Sequence, residues 1–112
     1  ALAVERFLNA ANARDLDTMA RLFGTKDGSI LKRDPRAEVE QRMYALASVL
    51  RHDNYSLEGE GPVPGRMGEA VRLIIRMHIN ERVVDVPFIV VQTKKDGWLV
   101  EQIDIEKITM SR

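Results

Sequence analysis

The chain has 112 residues, enough for one domain of ordinary size with no room for a second core, and we predict a single domain over residues 1–112. Seventeen Lys and Arg residues balance 17 Asp and Glu residues, and this formal net charge of zero disfavours nucleic acid as a partner. The absence of cysteine excludes disulfides and thiolate zinc sites, and the lack of any run of about 20 apolar residues predicts no membrane span.

The first part of the chain predicts two amphipathic helices. From Leu2 to Ala13, apolar residues recur at the spacing of three and four that places them on one helical face. A shorter apolar stripe follows, for which Asp15 is the predicted N-cap and Gly24 the predicted left-handed stop. We therefore expect two helices, of which the second is short.

The next segment contains a turn signal and the start of a third helix. Asp27-Gly28 favours a turn, and Ser29–Leu31 after it is either a brief strand or an anchored loop. Asp34-Pro35 predicts a helix start. The aspartate can cap the first free N–H groups, and proline suits the first helical position because it has no N–H that would be left without a partner there. The apolar stripe of this helix continues to Leu50, and the helix should end near His52.

After Asn54 the apolar residues alternate with a period of two, which predicts β-strands. A first strand covers Tyr55–Glu58, and Gly59–Gly68 with its two prolines indicates a loop or an irregular edge. The second strand covers Ala70–Ile79. Its buried face should be entirely apolar, with Val71, Leu73, Ile75, Met77 and Ile79.

Two hairpins complete the predicted sheet. A two-residue turn at Asn80-Glu81 sets Arg76 against Asp85 on one face and three apolar pairs on the other, namely Met77–Val84, Ile75–Val86 and Leu73–Phe88. A tight turn at Asp96-Gly97 sets Val90 opposite Ile103 and Phe88 opposite Ile105. A longer loop with a bulge is the rival geometry, and it would place Val90 opposite Gln102.

The phrases Phe7–Ala10, Arg14–Asp17 and Met19–Phe23, together with the ending Asp96–Val100, resemble the nuclear transport factor 2-like superfamily, which has the cystatin-like fold and includes SnoaL-like and ketosteroid isomerase-like proteins. The resemblance implies an α+β fold in which three N-terminal helices pack on a curved antiparallel sheet, a cone-shaped, cystatin-like roll. It also implies a wide end that can hold a small apolar molecule, and frequent dimerisation through the outer sheet face.

Glu101 is the main candidate for chemistry. In the register above it lies on the inner face opposite Gln92, where partial burial of its carboxylate would raise the pKa of the acid. The resemblance implies a general base for proton abstraction, as in the ketosteroid isomerase-like members. The alternative is that Glu101 and Gln92 lie where the sheet curls away from the helices and simply contact water.

Four more residues are candidates for contact with a molecule bound in the cone. Tyr44, at the edge of the third helix, could direct its hydroxyl into the cone mouth as an oxyanion stabiliser. The alternative is a half-buried packing residue whose hydroxyl contacts water. Phe88 and Met43 on the inner surface, with Gln92, are the residues that we expect to contact a small apolar ligand.

Other chemical motifs are missing from the sequence. His52 and His78 are far apart and have no carboxylate at ligand spacing, so we predict no metal site. No Gly-rich phosphate loop and no Gly-x-Ser-x-Gly pattern occurs, so we predict no cofactor and neither nucleotide nor serine-hydrolase chemistry. The short basic clusters contain acids and lack the aromatic residues that stack on bases.

The outer face of the sheet predicts an association surface. Ile74, Ile89 and Val91 lie there, with Arg76 and Asp85 at the polar rim. Apolar patches of this kind usually mark an interaction site, and a two-fold pairing of identical patches is the commonest solution. We therefore predict a homodimer through this face.

The inner face of the second strand carries no polar group, whereas an enzyme site needs several that converge. We therefore favour a non-catalytic module that binds a small apolar ligand in a cone-shaped pocket or acts through dimerisation. The alternative is a ketosteroid isomerase-like or hydrolase-like cone enzyme that uses Glu101 as general base. The sequence indicates no cellular compartment.

Overall fold

Helices at the N-terminus pack on a four-stranded antiparallel sheet, which confirms the α+β class. The computed structural model describes residues 2–110, so Ala1, Ser111 and Arg112 of the predicted domain lie outside the described residues. The helices are α1 (Leu2–Ala13), α2 (Leu16–Arg21), α3 (Arg36–Val49) and α4 (Glu106–Thr109), with a 3-10 turn at Ile30–Lys32. A small hairpin is formed by β1 (Gly24–Thr25) and β2 (Gly28–Ser29), and the sheet has the order β3 (Asn54–Pro62), β4 (Ala70–Ile79), β5 (Arg82–Gln92) and β6 (Trp98–Ile103).

The corner between α1 and α2 is built as the sequence predicts, but the end of α2 is not. Asp15 caps α2, because its two carboxylate oxygens accept hydrogen bonds from the Thr18 amide at 3.2 Å and the Thr18 hydroxyl at 2.6 Å. The prediction that Gly24 ends the helix is wrong, since α2 ends at Arg21 and Gly24 lies in β1. A Cβ on Gly24 would lie 2.2 Å from the Gly28 carbonyl oxygen, so close backbone approach is what requires glycine there.

The start of α3 also differs from the prediction. Pro35 is the N-cap residue instead of the first helical residue, and no side chain caps the helix. The Asp34 carboxylate contacts the Arg33 guanidinium at 3.2 Å and makes no cap hydrogen bond to α3. Ser29–Leu31, for which we predicted either a brief strand or an anchored loop, is divided between two elements. Ser29 is the last residue of β2, and Ile30 and Leu31 begin the 3-10 turn.

The first large hairpin has the predicted register. Ile79 pairs with Arg82 across the two-residue turn, and the three predicted apolar pairs lie opposite one another. Arg76 donates two hydrogen bonds to Asp85, at 2.9 and 3.3 Å, on the other face. A two-residue turn leaves little freedom in register, and a slip by one residue would move the whole apolar set to the solvent face.

The first strand is longer than predicted. β3 continues through the segment that we expected to be a loop and ends at Pro62. A register shift between Leu57 and Gly59 accommodates Glu58 as an extra residue, and its carboxylate contacts Arg76 at 3.1 Å. β3 lies at the edge of the sheet, where proline and glycine cost little because one side of the backbone has no strand to pair with.

The predicted register of the second hairpin is wrong. Phe88 pairs with Ile103 and Val90 with Val100, instead of with Ile105 and Ile103. Residues 93–97 form a longer loop, in which the Thr93 amide and hydroxyl both donate to the Gly97 carbonyl, at 2.9 and 2.7 Å. A bulge places Glu101 as an extra residue in β6, so that the buried Val100 and the partly buried Ile103 both pack against the core.

The space between the helices and the inner sheet face is filled by side chains. Fully buried residues from every layer meet there, including Phe7, Leu8, Met19, Met43, Leu50, Leu73, Met77 and Phe88. Met43 and Phe88, which we expected to contact a ligand, are 0% exposed and belong to this core. Within residues 2–110 no helix is long and apolar enough to span a membrane.

One side-chain bridge connects α1 to the segment that follows α3. Asn12 on α1 donates from Nδ2 to the His52 carbonyl at 2.9 Å and accepts from the His52 amide at 3.1 Å. His52 is itself buried, and its Nδ1 lies 2.8 Å from the Leu50 carbonyl oxygen. The side-chain amide of Asn12 therefore satisfies both backbone groups of His52, which lies just beyond the C-cap of α3.

The outer sheet face is less apolar than predicted. Ile74 and Ile89 are half-buried there, but Val91 is 0% exposed in the single chain. Val91 lies in a row with Ala70 and Leu99, both of which are also buried. Val91 therefore does not belong to the exposed patch for which we predicted a role in dimerisation.

Candidate functional site

An apolar groove lies between α3 and β6. The Leu22 carbonyl accepts a hydrogen bond from the Val100 amide at 2.7 Å, and Phe23 pairs with β6 only at Val100. Beyond this contact, the space between the helix and the strand stays open, with a volume of about 320 Å³. Its apolar walls are Phe23, Ala45, Leu46, Val49, Ile103 and Ile105.

The polar groups of the groove are few. Arg42, Glu101 and Gln102 are its remaining lining residues. The Arg42 guanidinium lies over the Phe23 ring, 5.0 Å from the centroid, a cation–π contact. Among residues 2–110, Arg42 forms no salt bridge, and it is the only cation that lines this groove.

Glu101, at the other side of the groove, is engaged by Arg66. The guanidinium donates two hydrogen bonds to the two carboxylate oxygens, at 2.5 and 3.0 Å. The two side chains are partly buried, with 32% of Arg66 and 19% of Glu101 exposed. The hydrogen bonds to Glu101 raise the pKa of the Arg66 guanidinium above its ordinary value. Both carboxylate oxygens are therefore committed to a structural ion pair.

The structure does not bring Glu101 and Gln92 together. Gln92 pairs with Trp98, whereas Glu101 lies in the bulge and has no residue opposite it. The side chain of Gln92 is exposed and lines a separate cleft beside the loop of residues 93–97, and its backbone N–H donates to the Glu69 carbonyl at 2.9 Å. The prediction that these two residues oppose one another on the inner face is wrong, because the register of the second hairpin differs from the predicted one.

Tyr44 also lies away from the groove. Its side chain is 57% exposed, and the Arg14 guanidinium lies 5.3 Å from the ring centroid. Tyr44 follows Arg42 by two residues, which at 3.6 residues per turn places it on the other side of α3. The ring thus contacts Arg14 near the corner of α1 and α2, and it is more exposed than the half-buried ring of the packing interpretation.

Sequence reasoning missed two cations, for different reasons. Arg42 precedes Leu46 by four residues and Val49 by seven, so helical spacing alone places it on the same side of α3 as the groove. Arg66 has no such signal, because it lies in the connection between β3 and β4, 35 residues from Glu101. Its partner depends on how that connection folds and on the bulge in β6.

The outer sheet face carries a second candidate surface. Ile74, Pro87 and Ile89 are half-buried there, and a shallow depression of about 180 Å³ is lined by Arg72, Pro87, Ile89, Gln102 and Asp104. Arg76 already contacts both Glu58 and Asp85. Arg72 and Asp104, by contrast, form no salt bridge among the described residues.

Comparison with known proteins bears on the fold. No family model and no curated protein matches the sequence. The structure is similar to the crystal structure of an NTF2-like protein of unknown function from Cytophaga hutchinsonii ATCC 33406, with a TM-score of 0.50 and 12% sequence identity. The match covers 91% of this chain and 87% of that chain. At this identity, the similarity is one of fold.

Proposed function

We propose that this chain, which has the NTF2-like fold, binds a small apolar molecule in the groove between α3 and β6 and performs no chemistry on it. The observation that carries the proposal is the wall of Phe23, Leu46, Val49, Ile103 and Ile105, which encloses about 320 Å³ next to a filled core. Ligand pockets typically measure about 300–1,000 Å³ and are mostly apolar with a few polar groups. The groove fits the small end of that range.

The pairing of Glu101 supports a binding role over catalysis. A general base needs a free lone pair within hydrogen-bond reach of the proton that it removes. A proton accepted by either carboxylate oxygen of Glu101 would cancel the charge that the partly buried Arg66 guanidinium faces and would weaken this pair. Tyr44, the second residue of the alternative enzyme, lies at the corner with Arg14. These contacts disfavour a ketosteroid isomerase-like or hydrolase-like cone enzyme based on Glu101.

The proposal is tested with a neutral apolar fluorophore such as N-phenyl-1-naphthylamine. We expect saturable binding to the wild type and a loss of at least about tenfold in affinity for Leu46→Gln, because the amide places an unpaired polar group in the apolar wall. Ala37→Gln, on an exposed part of α3 outside the groove, is the matched control and should bind as the wild type does. Absence of saturable binding, or equal binding by both variants, would contradict the proposal.

A second candidate function is dimerisation through the outer sheet face. Ile74, Pro87 and Ile89 provide apolar area, and Arg72 and Asp104 flank it with opposite charges that have no salt-bridge partner within residues 2–110. Arg72 lies on β4 and Asp104 follows β6, on the two sides of β5. A two-fold axis parallel to β5 would therefore set Arg72 of one copy against Asp104 of the other.

Light scattering distinguishes this second function from the first. We expect a dimer mass at micromolar concentration that Ile89→Lys reduces to the monomer mass, because a charge would be buried at the centre of the contact. Leu57→Lys, at an exposed position of the edge strand β3, is the control and should stay dimeric. A monomer mass for the wild type would remove this candidate and leave the groove proposal intact.

A further inference from the structure

The charges that line the groove do not cancel. Glu101 is already paired with Arg66, whereas Arg42 lies over Phe23 without a carboxylate partner among the described residues. The groove therefore presents one uncompensated positive charge beside an apolar surface. A bound apolar molecule would displace water from this surface and strengthen any charge–charge contact at its edge.

We infer that the ligand is a small amphiphile with an apolar body and a single carboxylate head. This inference rests on the proposed binding function and names the class of molecule for the same groove. The apolar body would lie between Leu46, Val49 and Ile103, and the carboxylate would accept hydrogen bonds from Arg42. A guanidinium presents paired N–H donors that match the geometry of a carboxylate, which makes arginine the preferred partner for such a head group.

Glu101 limits the charge that the head group can carry. Its carboxylate lines the same groove, and each further negative charge on a ligand would be repelled by it without gaining a second cation as partner. One guanidinium is available to the ligand, because Arg66 is already committed. A carboxylate with one charge therefore fits the groove better than a phosphate monoester, which carries up to two.

The test uses two probes of equal chain length that differ only in the head group, octanoate and 1-octanol. Isothermal titration of the intact domain should show octanoate binding about fivefold more tightly, the effect expected of an ion pair at an exposed guanidinium such as that of Arg42. Arg42→Gln should remove this preference, so that the two probes bind this variant with similar affinities. Arg42→Lys should retain part of it.

The control variant is Arg36→Gln, an exposed arginine on α3 that contacts Asp17 and Glu40 outside the groove. It should keep the full preference for octanoate. Raising the salt concentration should reduce the preference in the wild type and leave 1-octanol binding unchanged. Equal affinities for the two probes, or a preference that survives Arg42→Gln, would overturn the inference while the groove proposal stands. Failure of both probes to bind would overturn the groove proposal and the inference together.

Discussion

Arg66 and Glu101 form a bidentate salt bridge between two parts of the chain that β5 separates in the sheet. Arg66 lies in the connection between β3 and β4, and Glu101 lies in the bulge of β6. The pair fixes this connection relative to the last strand, and it neutralises Glu101, the one acidic residue among the described residues that line the groove. The non-catalytic function that we propose depends on this contact.

Removal of one partner tests whether the pair is structural. We expect Arg66→Gln to lower the midpoint of urea unfolding, because the partly buried Glu101 carboxylate loses its counter-charge. The double variant Arg66→Gln with Glu101→Gln should recover part of the loss, since neither side chain is then charged. Additive losses in the two single variants would show that the two residues do not interact in solution.

The filled core provides a second prediction. Phe88→Ala should reduce the free energy of unfolding by about 3–5 kcal/mol, the usual cost of removing a fully buried aromatic ring. Met43→Leu conserves volume at an equally buried position and should cost less than about 1.5 kcal/mol. Denaturant titrations measure both. A small loss for Phe88→Ala would mean that Phe88 lines an open cavity instead of the core.

The bridge between α1 and the end of α3 gives a third prediction. Asn12→Ala removes the donor and the acceptor that serve the His52 backbone, and we expect a loss of about 1–2 kcal/mol in the free energy of unfolding. Asn9→Ala, at an exposed position of the same helix, should change it by less than about 0.5 kcal/mol. Similar values for the two variants would argue against a stabilising role of Asn12.

Glycine is needed at one position and dispensable at another. Gly24→Ala would place a Cβ 2.2 Å from the Gly28 carbonyl oxygen and should destabilise the protein by about 1–3 kcal/mol, because the backbone of the small hairpin must move. Gly61→Ala, also in a strand, has no atom within 4 Å of the added Cβ and should be neutral or slightly stabilising. Thermal unfolding of the two variants distinguishes them.

The cross-strand pair of Arg76 and Asp85 predicts a pH dependence of stability. Hydrogen bonds from Arg76 hold the pKa of Asp85 below its ordinary value of 3.8. Because the pKa of Asp85 is lower in the folded protein than in the unfolded chain, its ionised carboxylate stabilises the folded state above pH 3.8. This contribution is lost as the pH falls from 3.8 through the pKa of Asp85 in the folded protein. The difference in stability between the wild type and Asp85→Asn should therefore be constant near neutral pH and shrink below pH 3.8.

The matched control for this titration is Asp27→Asn. Asp27 is exposed and forms no salt bridge among the residues that the structure describes. Its replacement should leave the pH profile of the wild type unchanged. A difference for Asp85→Asn that persists unchanged at acidic pH would mean that packing, and not the charge, accounts for the effect.

The sequence was informative where local geometry determines the result. The first large hairpin was predicted pair by pair, because a two-residue turn and an apolar face of period two allow one register. The second hairpin was not, because Thr93 closes a longer loop and the bulge at Glu101 offsets the strand. Several loop and bulge combinations are consistent with one apolar pattern, so alternation alone does not distinguish them.

The same distinction applies to the site. The sequence pattern marks Glu101 as an unusual carboxylate, but no local signal indicates that Arg66 pairs with it. Arg42 could have been recognised from its helical spacing to Leu46 and Val49, whereas Tyr44 could have been excluded by the same argument. The groove itself results from Phe23 pairing with β6 at Val100 alone, a contact between distant segments that no local pattern predicts.

The most direct test of the binding proposal is a methyl NMR titration of the wild type with 1-octanol. We expect saturable shifts at the methyl groups of Leu46, Val49 and Ile103, with those of the core residue Met77 unaffected. Shifts confined to these groove residues would support the account. Absence of saturable shifts, or shifts centred on the core or on Ile74 and Ile89 of the outer face, would contradict it.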